Sequence, residues 1–478
     1  PSPFGEGPVL RAQWGAISGK GPVGTLTRSR VPARVGPANL GTIAHFAAER
    51  ATLSPDASRS REGRRMDPGR SHSGAPSKAP SPIDLQELTP WLNSYKDVEA
   101  AQGLYLGFRD GFRIPAGSCE GPGFSRNQQS LGANMDVARA KISKEVALGR
   151  VAGPYDNIPM EKFVCSLLGV VPKKDPGEYR LIHNLSAPRG ASVNDAIDGA
   201  LCSVRYASLD QAIDMLRDCG EGSLLAKADI EPAFRLLPVH PDDMHLLGFQ
   251  FEGKFYYDRC MPMGCSVSCA YFEKFSTFLE WVFTRQSGHA RVLHYLDDFL
   301  FIGPPDHPAC ADALRGFQQL AKRFGVPLAG SKTCGPATVI EFLGIELDSV
   351  KGESRLPRRK VDAFSAALTA CLRARKVTLH QLQVLVGQLN FALRIIPMGR
   401  PFSRSIARAM AGLTRRNHHT RLSGEVRQDM LIWQAFLKDF NGSVVWKSRS
   451  LSNEELGLYT DSAGSVGFGA ILGKSWCA

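Results

Sequence analysis

The chain has 478 residues, of which 43% are hydrophobic and 22% are charged, a composition typical of a globular protein with a substantial core. No run of about 18 apolar residues occurs, so the sequence indicates no membrane-spanning helix, and we expect no membrane partner. The net charge of +12 suggests a polyanionic partner, but residues 1–80 hold 12 Lys+Arg against 5 Asp+Glu, which leaves only +5 for the other 398 residues.

Residues 1–80 also contain 10 Pro, 11 Gly and 9 Ser, without a sustained apolar period. Such a segment cannot bury enough apolar surface to offset its chain entropy, so we predict a disordered basic tail. The first methionine is Met66, and we expect the residues before it to be read-through or a fragment boundary. The eleven cysteines are scattered without zinc-site spacing, which predicts reduced thiols in an intracellular protein, nuclear or cytoplasmic.

Beyond the tail, the pattern predicts helices and strands in mixed order. Across 81–150, apolar residues recur at helical spacing, which predicts a helical N-terminal extension. Two strands are predicted next, at Val170-Val171 and at 179–185, joined by a turn at Asp175-Pro176-Gly177. Two further strand-like runs follow, with a helical segment between them. Helices and strands in this order predict an α+β fold.

The part of the chain after about residue 349 predicts mainly helices. Thr378 and Gln381 have the spacing of a helix capping box. The helix that they open carries one apolar stripe, formed by Leu382, Leu385, Val386, Leu389 and Leu393. The sequence ends shortly after a strand-like run at 456–472, where we expect a truncated domain.

Two adjacent carboxylates, Asp297 and Asp298, lie in the otherwise apolar run HYLDDFLF. One interpretation is a polar hairpin turn, because Asp is common where strands reverse. The other is a site that needs two negative charges, since buried carboxylates repel each other unless a cation lies between them. Asp229, 68 residues before Asp297, ends another apolar run and can converge with the pair across a sheet. Oxygen ligands of this kind suit Mg²⁺.

These motifs resemble those of reverse transcriptases. Residues 295–298, Y-L-D-D, are similar to the Y-x-D-D box of that family, and 227–239, KADIEPAFRLLPV, is similar to its first-carboxylate motif, in the same order and spacing. The resemblance covers roughly residues 85–478, and its motifs are specific from 167 to 348. It reconciles the two interpretations, because in this family the catalytic pair occupies the turn.

The resemblance implies a right-hand polymerase of the α+β class, with fingers, palm and thumb. Fingers and palm would span 151–348, and a thumb or connection would span 349–452. Asp229, Asp297 and Asp298 would bind two Mg²⁺ ions, or Mn²⁺ in their place, and support in-line nucleotidyl transfer. Template and primer would lie in the cleft, held mostly through their phosphates.

Two residues are implied to contact the incoming deoxynucleotide, Phe234 to select its sugar and Met263 in a segment that supports template and nucleotide. Phe234 stands five residues after Asp229, where the family places an aromatic ring that leaves no room for a 2′-hydroxyl; the alternative is an ordinary core Phe. Met263, in CMPMG, replaces the Gln of the family's P-Q-G segment. Because a thioether cannot hydrogen-bond as an amide does, this difference argues against retroviral-style contacts at that position.

Three basic residues of the strand-turn-strand segment, Lys173, Lys174 and Arg180, are implied to neutralise the triphosphate. Arg suits bidentate contact with a phosphate, whereas Lys acts as a point charge. The alternative for the two lysines is a solvated hairpin tip. Arg180 is better supported, because EYRLIHNLS resembles a box of the family that contains this arginine.

Three more positions follow from the resemblance. Lys332 falls where polymerases often place a lysine that protonates pyrophosphate, although an exposed loop lysine is an equal alternative. Phe342-Leu343-Gly344 resembles the F-L-G hairpin that grips the primer end. Asp461 resembles the first metal-binding carboxylate of ribonuclease H, so 453–478 would be the truncated start of such a domain, without ribonuclease H activity of its own.

Within the family, residues 152–195 look most like DIRS-type retrotransposons, which carry a tyrosine recombinase. The implied partners are an RNA or DNA template with its primer, and deoxynucleotides; the oligomeric state stays open. One rival is an RNA-dependent RNA polymerase, against which Phe234 and the Y-x-D-D form argue. The other is an inactive, element-derived remnant that only binds nucleic acid.

Overall fold

The computed structural model describes residues 76–117, 119, 125–173, 177–289, 291–440, 443–446, 452–463 and 467–477, all within one compact unit of residues 67–478. Most of the predicted tail, Lys174 and the predicted turn residues Asp175 and Pro176 therefore lie outside the described residues. Within the described part, the structure mixes helices and sheets throughout.

The helices, in chain order, are α1 (Leu85–Asn93), α2 (Val98–Asp110), α3 (Gln129–Gly132), α4 (Met135–Ala147), α5 (Leu209–Cys219), α6 (Ser268–Ser287), α7 (Ala309–Arg323), α8 (Arg358–Arg373), α9 (Leu379–Ala392), α10 (Arg400–Arg408), α11 (Gly424–Asp439) and α12 (Asn453–Leu456).

The strands are β1 (Val151–Tyr155), β2 (Cys165–Pro172), β3 (Tyr179–Asn184), β4 (Leu224–Asp229), β5 (Gly248–Phe251), β6 (Lys254–Asp258), β7 (Val292–Tyr295), β8 (Asp298–Gly303), β9 (Cys334–Ala337), β10 (Val339–Phe342), β11 (Ile345–Asp348), β12 (Glu353–Arg355), β13 (Val377–Thr378), β14 (His419–Thr420), β15 (Ser443–Val445), β16 (Leu458–Ala463), β17 (Gly467–Leu472) and β18 (Ser475–Cys477).

The helical spacing predicted across 81–150 is confirmed by α1, α2 and α4. Helix α1 begins where Asp84 caps it by accepting hydrogen bonds from the backbone N–H groups of Gln86 and Glu87. Helix α4 packs on the five-stranded sheet through Ala138 and Ile142, which share a buried cluster with strands β2 and β5. The extension is thus part of the folded core.

A five-stranded sheet has the order β1-β6-β5-β2-β3. The antiparallel pairing of β2 with β3 confirms both predicted strands, with Val171 opposite Arg180 and Pro172 opposite Tyr179. Strand β2 begins earlier than predicted, at Cys165, because it also pairs in parallel with β5. The strand pair is therefore anchored to the rest of the sheet at the start of β2.

A second sheet, here called the aspartate sheet, has the order β7-β8-β4-β9. Its strand β8 is apolar on both faces, which explains the unbroken run of β-formers in the sequence. Phe299 and Phe301 pack in one buried cluster with α6 and α7, whereas Leu300 and Ile302 pack on the other face against α5. Burial on both sides holds the β7–β8 turn at a defined place.

Helices α8, α9, α10 and α11 form a bundle with its own core. The capping box predicted for α9 is confirmed, since Thr378 accepts from the Gln381 backbone N–H while the Gln381 side chain accepts from Thr378. Leu382, Leu385 and Leu389 are fully buried. The other members of the predicted stripe, Val386 and Leu393, pack only partly buried on this core, with Leu393 just after the last helical residue.

The remaining strands form two antiparallel sheets, β10-β11-β12-β15 and β16-β17-β18, and the short ribbon β13–β14. None of the helices in the described ranges is both long and apolar enough to cross a bilayer. In the described ranges, the cysteines from Cys119 to Cys371 are free thiols.

Candidate active site

The three predicted aspartates meet at one end of the aspartate sheet. Asp229 is the last residue of β4 and lies directly opposite Asp298, the first residue of β8. Tyr295 also faces Asp298, across the β7–β8 hairpin, so Leu296 and Asp297 form a two-residue turn. The backbone N–H of Ile230 donates to the Asp297 carbonyl at 2.9 Å, which ties the turn to the end of β4. The predicted convergence across a sheet is confirmed.

Negative charge accumulates at this end of the sheet. Burial first, and then the neighbouring Asp229 and Asp298 carboxylates, raise the pKa of Asp297 to about 6. Burial, and then the proximity of Asp229, also raise the pKa of Asp298. Asp229 is itself only 5% exposed. The Asp229 carboxylate is therefore close enough to disfavour a charge on Asp297 and on Asp298.

The carboxylates fit divalent cations as partners, although they do not enclose one by themselves. In the described part of the chain, no group of three or more His, Cys, Asp or Glu side chains is arranged to hold a metal ion. Mg²⁺ usually takes one or two carboxylates and completes its shell with water and substrate phosphate oxygens, so an open set of ligands is expected for it. The mutual repulsion of Asp229, Asp297 and Asp298 is what a bound cation would relieve.

Lys332 lies within this group of charges. Its Nζ donates a hydrogen bond to Asp229 Oδ1 at 2.8 Å, although about half of the lysine side chain is exposed. Burial alone would lower the pKa of Lys332, but the hydrogen bond and the charge of Asp229 outweigh it and raise the pKa. Lys332 is therefore an exposed loop lysine whose ammonium is in direct contact with a site carboxylate, and its role in proton transfer stays a prediction.

Phe234 lies five residues beyond Asp229, at the start of a 3₁₀ turn, Phe234–Leu236. Its ring packs edge-on against Phe272 of α6, with ring centroids 5.7 Å apart, and remains partly exposed. Phe234 thus packs against the core while part of the residue stays accessible to solvent. This position is compatible with both predictions for Phe234, a core residue and a ring that excludes a 2′-hydroxyl.

Three residues predicted to bind the nucleotide line one cavity of about 300 Å³, namely Lys173, Arg180 and Met263. Lys173 is ion-paired with Glu178 at 2.7 Å, whereas Arg180 and Met263 are exposed. The three aspartates are not among the residues that line this cavity. The structure therefore brings Lys173, Arg180 and Met263 together, but in a cavity that the carboxylates do not line.

The same cavity reveals two basic residues that the sequence interpretation missed. Lys141 and Lys144, both on α4, line its other wall. The basic i, i+3 spacing on an amphipathic helix was visible in the sequence, but only the packing of α4 on the five-stranded sheet brings it opposite the β2–β3 hairpin.

The predicted primer-grip segment is a tight hairpin turn between β10 and β11. Leu343 and Gly344 have φ values of +49° and +76°, while Phe342 lies opposite Ile345. The Phe342 ring is buried in the core at 1% exposure, where it packs beneath the turn. Lys360 of α8 donates to the Gly344 carbonyl at 2.7 Å and lies 3.7 Å from the centre of the Phe391 ring. The turn is thus attached to the helical bundle.

The bundle carries a concentration of positive charge that the overall charge count did not reveal. From 363 to 424 the sequence has ten Lys+Arg residues and no Asp or Glu. All ten are exposed. The ribbon β13–β14 pairs Val377 with Thr420 and so brings 373–376 beside 415–421. The signal for this surface is present in the sequence as a local run of basic residues without acidic ones, which the net charge of the whole chain does not show.

Asp461, the predicted ribonuclease H carboxylate, is an exposed residue in the middle of β16, opposite Gly469 of β17. Strand β17 pairs in turn with β18, so this region is a three-stranded antiparallel sheet.

A histidine beneath the aspartate turn provides a pH test of the structure. His294 is buried between Glu273 and Glu280. Burial alone would lower its pKa, but the hydrogen bonds to these carboxylates raise it to about 9, from an ordinary value of 6.5. The folded protein therefore binds the His294 proton more tightly than the unfolded chain does. This binding contributes its full stabilisation to the fold below about pH 6.5, and the contribution is lost as the pH rises through about 9.

We therefore expect His294→Gln to lower the free energy of unfolding by up to about 3 kcal/mol near pH 6, and by much less at pH 10. Urea unfolding of both proteins at intervals between these pH values measures the difference. His307→Gln, at an exposed position, serves as control. A difference that stays constant with pH would show that His294 is not a charged partner of the two glutamates.

Comparison with known families identifies the segment that holds the three aspartates, Phe234 and Lys332. Residues 171–347 match the family described as "Reverse transcriptase (RNA-dependent DNA polymerase)". The genome polyprotein of Petunia vein clearing virus, in its Shepherd and Hohn isolates, is 26% identical over 186 residues. That match covers 37% of this chain and 8% of the polyprotein, so the chain corresponds to a small part of its viral relative.

Solved structures show the same fold. A foamy viral protease-reverse transcriptase in complex with dsDNA superposes with a TM-score of 0.52 at 15% identity, covering 84% of this chain and 80% of that one. A second structure of the foamy viral protein with dsDNA gives a TM-score of 0.51 at 16% identity, covering 81% of this chain and 64% of the other. The predicted α+β, polymerase-type fold is confirmed by these superpositions.

Proposed function

We propose that this chain is an RNA-directed DNA polymerase of a retroelement, which adds deoxynucleotides to a primer 3′-hydroxyl. The observation that carries the proposal is the pairing of Asp229 with Asp298 and the adjacent turn at Asp297, inside the segment that matches the reverse transcriptase family. Carboxylates from two strands at one sheet end are what two-metal nucleotidyl transfer requires.

In this proposal, Asp229, Asp297 and Asp298 are the metal ligands. Two bound Mg²⁺ ions, or Mn²⁺ in their place, would lower the pKa of the primer 3′-hydroxyl and stabilise charge on the leaving pyrophosphate. The chain itself supplies a rigid support: β8 is buried on both faces, and the Asp297 carbonyl is bonded to the Ile230 N–H. Rigid support keeps the carboxylates in position when substrate arrives.

Lys332 is proposed to give a proton to the departing pyrophosphate. Its ammonium already lies 2.8 Å from Asp229, and its partly exposed side chain has room to turn toward a phosphate. A lysine whose pKa is raised stays protonated until a developing negative charge accepts its proton.

Nucleotide selection is assigned to Phe234 and to the basic cavity. The half-supported ring of Phe234 would lie against the sugar and exclude a 2′-hydroxyl, which favours deoxynucleotides and argues against an RNA polymerase. Arg180 and Lys173 would neutralise the triphosphate, with Met263 packing on the base or sugar. Because the aspartates do not line this cavity, the proposal includes a movement of β2 and β3 toward them when a nucleotide binds.

Template and primer are proposed to lie along the positively charged bundle. In this proposal the fingers and palm, predicted at 151–348, contain the five-stranded and aspartate sheets, and the thumb, predicted at 349–452, contains α8–α11. The Leu343–Gly344 turn, attached to α8 by Lys360, would hold the primer end. Ten exposed basic residues without a single acidic neighbour in sequence provide contacts to phosphates.

The charge of the bundle makes a salt-dependent prediction. We expect Arg415→Ala/Arg416→Ala to reduce the slope of log K against log salt for duplex binding by about 2, because each phosphate contact contributes a slope of about 0.9. Fluorescence anisotropy with a labelled RNA–DNA duplex at several salt concentrations measures it. The control Arg217→Ala/Arg315→Ala removes exposed arginines that are ion-paired with Asp214 and Asp312. Equal slopes in both double variants would argue against the bundle as the binding surface.

The finer assignments rest on the resemblance of sequence motifs. We propose a DIRS-type element on the similarity of residues 152–195. For 453–478, the antiparallel order β16-β17-β18 with Asp461 on its first strand supports the start of a ribonuclease H-like domain.

Primer extension tests the main proposal. An RNA template with an annealed DNA primer is incubated with deoxynucleotides, in Mg²⁺ and in Mn²⁺ separately. Template-dependent extension is the expected result. Absence of extension by a folded protein that still binds the duplex would overturn the proposal and favour the inactive remnant.

A further inference from the structure

The turn that carries Asp297 has an unfavourable backbone. Leu296, its first residue, has a φ of +54°, in the left-handed region that disfavours residues with a side chain. Two-residue hairpin turns normally use Gly or Asn at such positions. A leucine keeps this conformation only where surrounding contacts hold it.

One such contact comes from α6. The Leu296 backbone N–H donates to Glu273 Oε2 at 3.1 Å. Glu273 is 7% exposed, so its carboxylate is buried beneath the turn. Together with the bond from Ile230 N–H to the Asp297 carbonyl, this contact fixes both residues of the turn through their backbones.

The Glu273 carboxylate is itself held from the other side. Its Oε1 lies 3.3 Å from His294 Nε2, and His294 Nδ1 bonds to Glu280. Thr277 Oγ1 also lies 3.3 Å from His294 Nε2, and the imidazole stacks on Phe299. All three polar partners of His294 come from α6, so the ring links that helix to the strand that leads into the turn.

We infer that Glu273, oriented by His294 and Glu280, is a positioning residue that holds the Leu296–Asp297 turn in the geometry needed for metal and primer binding. This inference rests on the proposed function, because a fixed turn geometry for metal and primer binding is needed only if the turn is part of a catalytic site. Glu273 touches neither substrate nor metal in this account. It acts through the Leu296 amide.

Hydrogen exchange tests the contact without any activity. In the metal-free protein, Glu273→Met keeps the length of the side chain but removes the acceptor, and we expect the Leu296 amide to exchange about 10- to 100-fold faster. Glu273→Gln retains an acceptor oxygen and should restore most of the protection. Asp243→Asn is the matched control, since Asp243 is a buried carboxylate that binds Arg113 and the Ile114 amide away from the turn.

Single-nucleotide addition provides the second readout. Glu273→Met should lower kcat about 10-fold or more while the KM for the deoxynucleotide and the duplex affinity change little, and Glu273→Gln should recover most of kcat. Unchanged Leu296 exchange in Glu273→Met, or equal effects of the Met and Gln variants, would overturn the inference. A wild-type protein without polymerase activity would refute the proposed function alone, because the exchange measurement still decides whether Glu273 holds the turn.

Discussion

Asp297→Asn is expected to lower RNA-templated nucleotide addition by about 10²–10³-fold or more, the loss seen when a group that stabilises transition-state charge is removed. Asp297 occupies the turn between two strands and lies beside Asp229 and Asp298. An amide of the same shape keeps the turn but removes a charged oxygen ligand, so metal binding weakens while the backbone is unchanged.

The same variant should not be less stable without metal. The pKa of Asp297 is raised from 3.8 to about 6, so its ionisation opposes folding as the pH rises through this range. Asp297→Asn lacks this penalty, and its free energy of unfolding should therefore equal or exceed that of the wild type at pH 8, with the advantage vanishing near pH 4. Urea unfolding at both pH values measures the difference.

Asp243→Asn is the control for both measurements. It removes a buried carboxylate that pairs with Arg113, so it should cost stability but leave primer extension near the wild-type rate. If the Asp297→Asn variant still extended the primer at the wild-type rate, this turn would be excluded as the catalytic site.

Phe234→Val is expected to lower the discrimination between deoxynucleotides and ribonucleotides by about 10- to 200-fold, the range available to a change of pocket volume. The Phe234 ring packs edge-on against Phe272, and the residue is only partly buried. Removing the ring opens space where a 2′-hydroxyl would otherwise clash, so ribonucleotide insertion rises more than deoxynucleotide insertion falls.

Insertion of one dCTP or one CTP opposite a template G, with kcat/KM measured for each, gives the selectivity. Phe234→Tyr is the matched control, because it keeps the ring and should keep the preference. If Phe234→Val and Phe234→Tyr discriminate equally well, Phe234 is a core residue and sugar selection lies elsewhere.

The local pattern of the chain was sufficient to predict its elements. The apolar runs around Asp229 and Asp297 predicted strands, and the capping box at Thr378 predicted the start of α9. Each of these signals depends on residues within a few positions of one another, where backbone preference and side-chain periodicity act directly.

The partners of the candidate site could not be predicted in this way. Lys332 reaches Asp229 across 103 positions of sequence, and Glu273 reaches Leu296 across 23. Such contacts depend on how α6 and the loop before β9 pack on the aspartate sheet. Likewise, Phe342 belongs to a motif associated with the primer end, but the packing of β10 turns its ring into the core.

By itself, the sequence determined that the chain has an α+β fold with carboxylates at a strand end and in a hairpin turn, because strand periodicity and turn chemistry are local properties. Only the tertiary structure decided that Asp229 lies opposite Asp298, that Glu273 and His294 support the turn, and that Lys141 and Lys144 face the β2–β3 hairpin. Strand register and helix docking follow from the burial of complementary apolar surfaces far apart in the chain, which no short stretch of residues encodes.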